Sequence, residues 1–293
     1  MNSRDFSGIE QMLGHVDQLP TLPAVYKRLQ QMLTDPKVSA REVGAVIEQD
    51  QALAAKLLKV VNSSYYSFPR QVTTISHSVV ILGFNEIKHM ALSVSLLKMF
   101  GNARAGTLFD QSGFWKHSLG VAVCAGAIGR KAGPAKCPSH EEAFVAGLLH
   151  DIGKIIEDQF LHDDFVLVLR EQKKQDVRLI EAEKRILKNT HQDFGAFLAH
   201  KWRLPAILES TIGFHHDPLR VQDSESEFAM TSIIHCANII ARALAIGTGG
   251  DPYVPRLEHQ CWEFLDLGTD DLEPIVDESA GVFNDMAKLL LEG

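Results

Sequence analysis

Cysteine is scarce and scattered in this chain, at positions Cys124, Cys137, Cys236 and Cys261, with no C-x-x-C pair among them. That spacing excludes both a disulfide framework and a thiolate zinc site and fits a reducing compartment. No uninterrupted apolar run reaches about 18 residues, so no membrane-spanning helix is expected. The opening MNSRDFSGIEQML lacks the basic stretch followed by an apolar one that marks a secretory leader, and the expectation is a cytoplasmic protein. Basic residues form no block, and 29 Lys and Arg against 37 Asp and Glu leave a net charge of −8. A surface of that sign repels a phosphate backbone, so neither a nucleic-acid polymer nor a membrane is expected as a partner. Segments of alternating polarity that would read as strands are hard to find, and no period of about 20 to 50 residues recurs.

What is present suits an ordinary globular fold: 293 residues, 45% apolar and 23% charged, long enough to bury a substantial core. From residue 22 to 100 apolar residues recur at spacings of three and four, and the breaks carry capping residues, which predicts about five helices. Ser39 with Glu42 forms a capping box ahead of Val43, Val46 and Ile47, and Asp50 starts a second helix through Leu53, Leu57, Val60 and Val61. Asn62, Ser63, Ser64 and Pro69 break the pattern; Thr74 restarts it, Gly83 stops it and Asn85 restarts it again. Leu22, Val25, Leu29 and Leu33 are read as core.

Gly101 and Gly106 mark a seam, which divides the chain into an N-terminal helical subdomain, 1–108, and a second helical subdomain, 109–293. Beyond it the pattern runs from Asp110 past His117 to about Arg130. Ser139 and Glu142 read as a further capping box, opening one helix from Ala143 to Ile156. Later helices are predicted from Val177 to Leu187, Thr190 to Arg203, Pro205 to His216 and Phe228 to Ala245, with surface loops over 217–227 and 247–256.

The chemistry centres on His150 and Asp151, adjacent on the predicted helix, with Lys154 three and four residues on and so on the same face. His117, His191 and the doublet His215-His216 come from separate helices. Any one of these histidines taken alone is more often a hydrogen-bonded core residue than a ligand, and their joint occurrence reverses that weighting. Six imidazole and carboxylate donors without thiolate suit one or two divalent ions of iron, manganese or zinc. Two ions would clamp a phosphoryl group and activate a water, with Asp151 and Lys154 as the catalytic candidates. His15, His77, His89, His140, His162, His200 and His259 are read as surface or packing residues, and His235, three before Asn238, as a support for the ligands.

The order His117, His150-Asp151 with Lys154, His191, His215-His216 resembles the ligand order of the HD superfamily, especially the HD-GYP phosphodiesterases. Gly113 stands where that family often places a glutamate and Asn238 where it places a late aspartate. Asp217-Pro218-Leu219 replaces the G-Y-P signature, so cyclic di-GMP recognition is not implied. Upstream, LPTLPAVYKRLQQML, VIEQDQALAAKLLKVVNSSYY and SHSVVILGFNEIKHMAL are similar to the HDOD family almost end to end, with Pro20, Pro23, Asp50, Asn62, Ser63 and Gly83 at its recurring positions and Gln51 departing from a proline. The resemblance implies an all-α fold and a signalling or regulatory module acting through protein partners. Its alternative is a metal-dependent phosphohydrolase acting on a nucleotide or small phosphoester, and a redox-responsive diiron sensor is compatible with the same donors.

Overall fold

The computed structural model describes residues 5–14, 19–100 and 108–292, and every regular element among them is helical. The seam at Gly101 and Gly106, and His15, lie outside the described residues. The first half holds α1 (Ser7–Leu13), α2 (Ala24–Met32), α3 (Ala40–Ile47), α4 (Gln51–Val61), α5 (Ile75–Leu82) and α6 (Phe84–Phe100). The second holds α7 (Gln111–Ala132), α8 (His140–Leu149), α9 (Gly153–Phe160), α10 (His162–Gln175), α11 (Leu179–Ile186), α12 (His191–Lys201), α13 (Ala206–Phe214), α14 (Glu225–Ala243), α15 (His259–Phe264) and α16 (Leu272–Leu290).

The five helices expected before residue 100 are α2 to α6, and their starts obey the capping chemistry. Ser39 and Glu42 form the full reciprocal box, the Asp50 carboxylate accepts from the Leu53 amide at 3.0 Å, and the Thr74 hydroxyl accepts from the His77 amide at 3.2 Å. Asn62, read as a breaker, secures the turn it makes. Its amide donates to the carbonyls of Leu58 and Val72, both at 2.8 Å, and its oxygen accepts from the Val72 amide at 2.8 Å.

Helix α7 is the axis of the second half, buried along most of its length and packed against α8, α14 and α16. Gly147 permits a close crossing of α8 on α7, since a Cβ there would lie 2.6 Å from the Ala122 Cα. Helix α16 also packs on α4, and Trp202 donates its indole N–H to the Pro20 carbonyl at 2.6 Å, so early and late helices share contacts. No helix among the described residues is long and apolar enough to cross a membrane. All four cysteines are buried free thiols.

Two readings are corrected, and α1, α10, α15 and α16 were not anticipated. The helix expected from Ala143 to Ile156 is two helices, α8 and α9, with His150, Asp151 and Ile152 at the junction. Ser139 accepts from the Glu142 amide at 3.0 Å, but the reciprocal half of that box is not formed. Helix α10 escaped the periodicity because its sequence, HDDFVLVLREQKKQ, buries only Phe165, Val168 and Gln172.

Buried His89 is expected to make the first half sensitive to acid. It is buried in α6, its Nδ1 has no hydrogen-bond partner, and burial followed by the charge of Lys88 lowers its pKa from 6.5 to about 3. The folded state therefore refuses a proton that the unfolded chain takes up, and stability drains away as pH falls from 6.5 toward 3, by up to about 1.4 kcal/mol per pH unit. His89→Leu is expected to flatten that part of the curve: urea unfolding at pH 7 and pH 5 should show the variant gaining on the wild type by about 1 kcal/mol or more. An unchanged difference between the two pH values would refute the assignment.

Candidate metal centre

The junction between α8 and α9 positions the key side chains. Its amides bond three residues back, Ile152 to Leu149 at 2.9 Å, Lys154 to Asp151 at 2.9 Å and Ile155 to Ile152 at 3.1 Å, which is the tighter 3₁₀ pattern. That winding eclipses positions three apart, so Lys154 stands directly over Asp151 and its Nζ reaches Oδ2 at 2.6 Å. Helix α12 meets this turn because Gly153 has no side chain, and the site is assembled from α7, the α8–α9 turn, α12 and the end of α13.

The Asp151 carboxylate is the common centre. His191 Nε2 and His215 Nε2 lie 3.3 and 3.4 Å from Oδ1, while His150 Nε2 and His117 Nε2 lie 3.3 and 3.9 Å from Oδ2. His216 Nε2 is 3.2 Å from His191 Nε2. Two groups result, Asp151 with His191, His215 and His216, and Asp151 with His117 and His150, each with donor atoms within 4.8 Å of one another. His150, Asp151, Lys154 and His215 are 0% exposed and His117 and His191 1%, so the cluster is sealed from solvent except at half-buried His216.

The protonation pattern leaves lone pairs pointing inward. His150 Nδ1 is 2.7 Å from the Gly147 carbonyl, His215 Nδ1 is 2.9 Å from the Ile212 carbonyl and His191 Nδ1 is 2.8 Å from both oxygens of Glu183. In a neutral ring each of these contacts places the proton on Nδ1 and leaves Nε2 as the acceptor. Burial, reinforced by neighbouring imidazoles, holds the pKa of His117 and His216 well below the usual histidine range and lowers that of His215 to about 3. Burial alone would raise the Asp151 carboxyl, but His150, Lys154 and His191 together outweigh it and hold it well below the carboxylate range. The Nε2 atoms of His117, His150 and His215 and Oδ1 of Asp151 are all buried without a hydrogen-bond partner. Orphaned acceptors converging on one carboxylate are what a divalent cation would satisfy, so the buried cluster can hold a metal ion.

All six sequence-predicted donors and Lys154 thus meet, but Lys154 does not stand free: its ammonium also donates to the Gly249 carbonyl at 2.8 Å. His77, His89, His140, His162, His200 and His259 take no part in the cluster. His235 stays outside it and supports it, its Nδ1 lying 2.8 Å from the His215 carbonyl. Asn238 accepts from Arg242 Nε at 3.0 Å, and Gly113 has no room for a glutamate, since even a Cβ would fall 2.2 Å from the Thr248 side chain. The stretch 247–256, expected as surface loop, instead turns inward at Gly249, which is buried.

Sequence reasoning missed Glu183, Glu157 and Arg242. Glu183 is fully buried on the inward face of α11 with Leu179 and Ala182, and a glutamate in phase with apolar positions was the available signal. Glu157, buried beside it, has its pKa pushed well above the carboxylate range by burial and then by Glu183. Glu183→Gln keeps the shape but weakens its grip on His191. Metal affinity measured by competition with a chromogenic chelator is expected to fall about 10- to 100-fold with the melting temperature of the chelated protein little changed. Unaltered affinity would remove Glu183 from the site.

Fold and site together define an all-helical protein with a buried histidine and aspartate cluster at a helix junction. The chain belongs to the HDOD domain family, whose model matches residues 19–218. The crystal structure of an HDOD domain protein with unknown function from Geobacter sulfurreducens superposes with a TM-score of 0.77 at 26% identity, covering 97% of this chain and 96% of that one. An uncharacterized protein of Treponema pallidum (strain Nichols) is 25% identical over 82% of this chain and 45% of its own length. Ribonuclease Y of Streptococcus sanguinis (strain SK36) is 26% identical over 69% of this chain and 29% of its own length. The chain therefore spans less than half of these curated relatives.

Proposed function

We propose that this chain is a regulatory HDOD module of a cytoplasmic signalling system, built from helical subdomains 1–108 and 109–293, that works through protein partners and keeps a metal centre for structure or sensing. The observation that carries this reading is the closure of the site: five donors are at most 1% exposed, and the Lys154 ammonium is already bonded to Asp151 and Gly249. Of the six donors only His216 reaches solvent, and only in part. Asp151 with His191, His215 and His216 would hold one ion, and the second oxygen of Asp151 with His117 and His150 would hold another, iron, manganese or zinc being the fitting metals. The net charge of −8 and the small share of Ribonuclease Y that the chain spans speak against carrying that relative's activity over.

One observation favours a second reading, a metal-dependent phosphohydrolase acting on a nucleotide or small phosphoester: the donor set is nearly complete and carries a lysine on its shared carboxylate. A bound metal would supply Lewis acidity and a nucleophile at neutral pH. Lys154, once released from Gly249, would orient a phosphoryl oxygen, and Asp151 would fix the geometry of both donor groups. Metal analysis of protein purified without added ions, followed by a phosphoester panel with Asp151→Ala as control, separates the two. Bound metal without turnover supports the regulatory module; turnover that vanishes in the variant supports the enzyme; metal-free protein refutes the centre in both.

A further inference from the structure

Residues 247–253 are fastened across the donor cluster by an unusual set of bonds. Within seven residues, four backbone carbonyls accept from buried or half-buried side chains. Lys154 Nζ reaches Gly249 O at 2.8 Å, Gln172 Nε2 reaches Gly250 O at 3.0 Å, and Arg242 Nη1 reaches Asp251 O at 2.9 Å and Tyr253 O at 3.2 Å. Two of those donors are cations, and among the described residues no carboxylate forms an ion pair with Arg242. Lys154 has the Asp151 carboxylate at 2.6 Å, whereas the Arg242 guanidinium is held by neutral oxygens alone, an arrangement that an anion would satisfy better.

The segment also stands where a ligand would have to be. A Cβ on Gly249 would lie 3.2 Å from His117 Nε2 and 3.2 Å from Arg242 Nη2, so its peptide is wedged between a donor nitrogen and the guanidinium. Its approach depends on Gly113, whose carbonyl accepts from the Thr248 amide at 2.9 Å and whose position tolerates no side chain under Thr248. Gly247, at φ +62, turns the chain inward against the His117 backbone. On the outer side Thr248, Gly250 and Tyr253 wall a cavity of about 630 Å³ with Gln172 and Phe109. The segment is thus a partition between an open cleft and the donors.

We propose that Lys154 and Arg242 form a subsite for a phosphate-class oxyanion beside the metal donors, and that residues 247–253 occupy it as a built-in plug whose carbonyls stand in for the anion's oxygens. The proposal rests on the metal-centre reading for its biological meaning but not for its chemistry, since both cations belong to this chain. Withdrawal of the plug into the cleft frees Arg242 Nη1 and the N–H that Lys154 now gives to Gly249, while the ammonium stays paired with Asp151, and it joins the cleft to the donors. The apparent affinity for the anion is then the intrinsic one reduced by the fraction of molecules that are open.

The test uses inorganic phosphate as probe and leaves the two cations and the metal donors intact. Gln172→Ala with Asp251→Ala removes the donor to Gly250 and the carboxylate that accepts from the Leu179 amide at 3.1 Å, loosening the plug at its edges. By calorimetric titration, phosphate is expected to bind the double variant more tightly than the wild type by about tenfold or more, and Arg242→Gln in that background should abolish the gain. In the wild type, which no substitution can unfold, phosphate should accelerate amide hydrogen exchange over 247–253. Equal affinities, indifference to Arg242→Gln, or slowed exchange in that segment would each overturn the plug. Each titration is run on metal-loaded and chelated protein with metal content measured. Absent metal would sink the centre, while the ratio between variant and wild type in chelated protein would still decide the plug.

Discussion

Asp151→Ala is expected to yield protein that retains no metal and is less stable than the wild type by about 3–5 kcal/mol even after chelation, the usual cost of stripping one partner from a buried ion pair. Both donor groups share this one carboxylate, so its loss dismantles both. The stability term comes from Lys154, which is 0% exposed and would keep only the Gly249 carbonyl as partner. Four imidazole nitrogens now within 3.9 Å of the carboxylate would face an empty space lined by lone pairs. Metal content by mass spectrometry and urea unfolding in excess chelator measure the two effects separately. A variant that binds metal normally would show that the centre is not built on Asp151; one of unchanged stability in chelator would show that Lys154 finds another anion. Asp151→Asn, which keeps the volume, should lose the metal with a smaller stability cost, because the amide oxygen can still accept from the lysine.

The two halves of the molecule were unequally legible, for physical reasons. Helix starts at Ser39, Asp50, Thr74 and Thr190 could be read because capping is local: the residue that signals the start is the one that satisfies the orphan amides. The convergence of His117, Asp151, His191 and His215 could be anticipated from donor type and order, but its support could not. Glu183 looks like any helix-surface glutamate until α11 is packed with that face inward, and the break between α8 and α9 leaves no glycine or proline before Gly153 to announce it. The inward turn at Gly249 was hidden for the opposite reason. A glycine-rich stretch ordinarily marks solvent-exposed loop, whereas here Gly247 and Gly249 are small so that backbone can press against His117.

The same logic makes Gly153 the most constrained small residue in the site. A methyl group there would lie 1.9 Å from the His191 carbonyl oxygen, 2.7 Å from its carbon and 2.8 Å from the Gly195 amide nitrogen. All three obstacles are backbone, so no side chain can rotate away and α9 and α12 must separate. Overpacking of a close contact commonly costs about 1–3 kcal/mol and sometimes more; with helix backbone as the obstacle, Gly153→Ala should reach at least the top of that range. The displacement falls on the contact that matters, because Asp151 precedes Gly153 by two residues and His191, which opens α12, lies 3.3 Å from its carboxylate. Metal affinity should therefore fall together with stability. Gly8→Ala supplies the contrast: it sits in α1 with nothing within 4 Å of the added methyl, and should stabilise by about 0.5–1 kcal/mol through helix propensity alone. Thermal unfolding of both variants, with metal titration of the first, sets a backbone collision against an open site. A Gly153→Ala protein that unfolds and binds metal like the wild type would mean that α9 and α12 do not cross as closely as the centre requires.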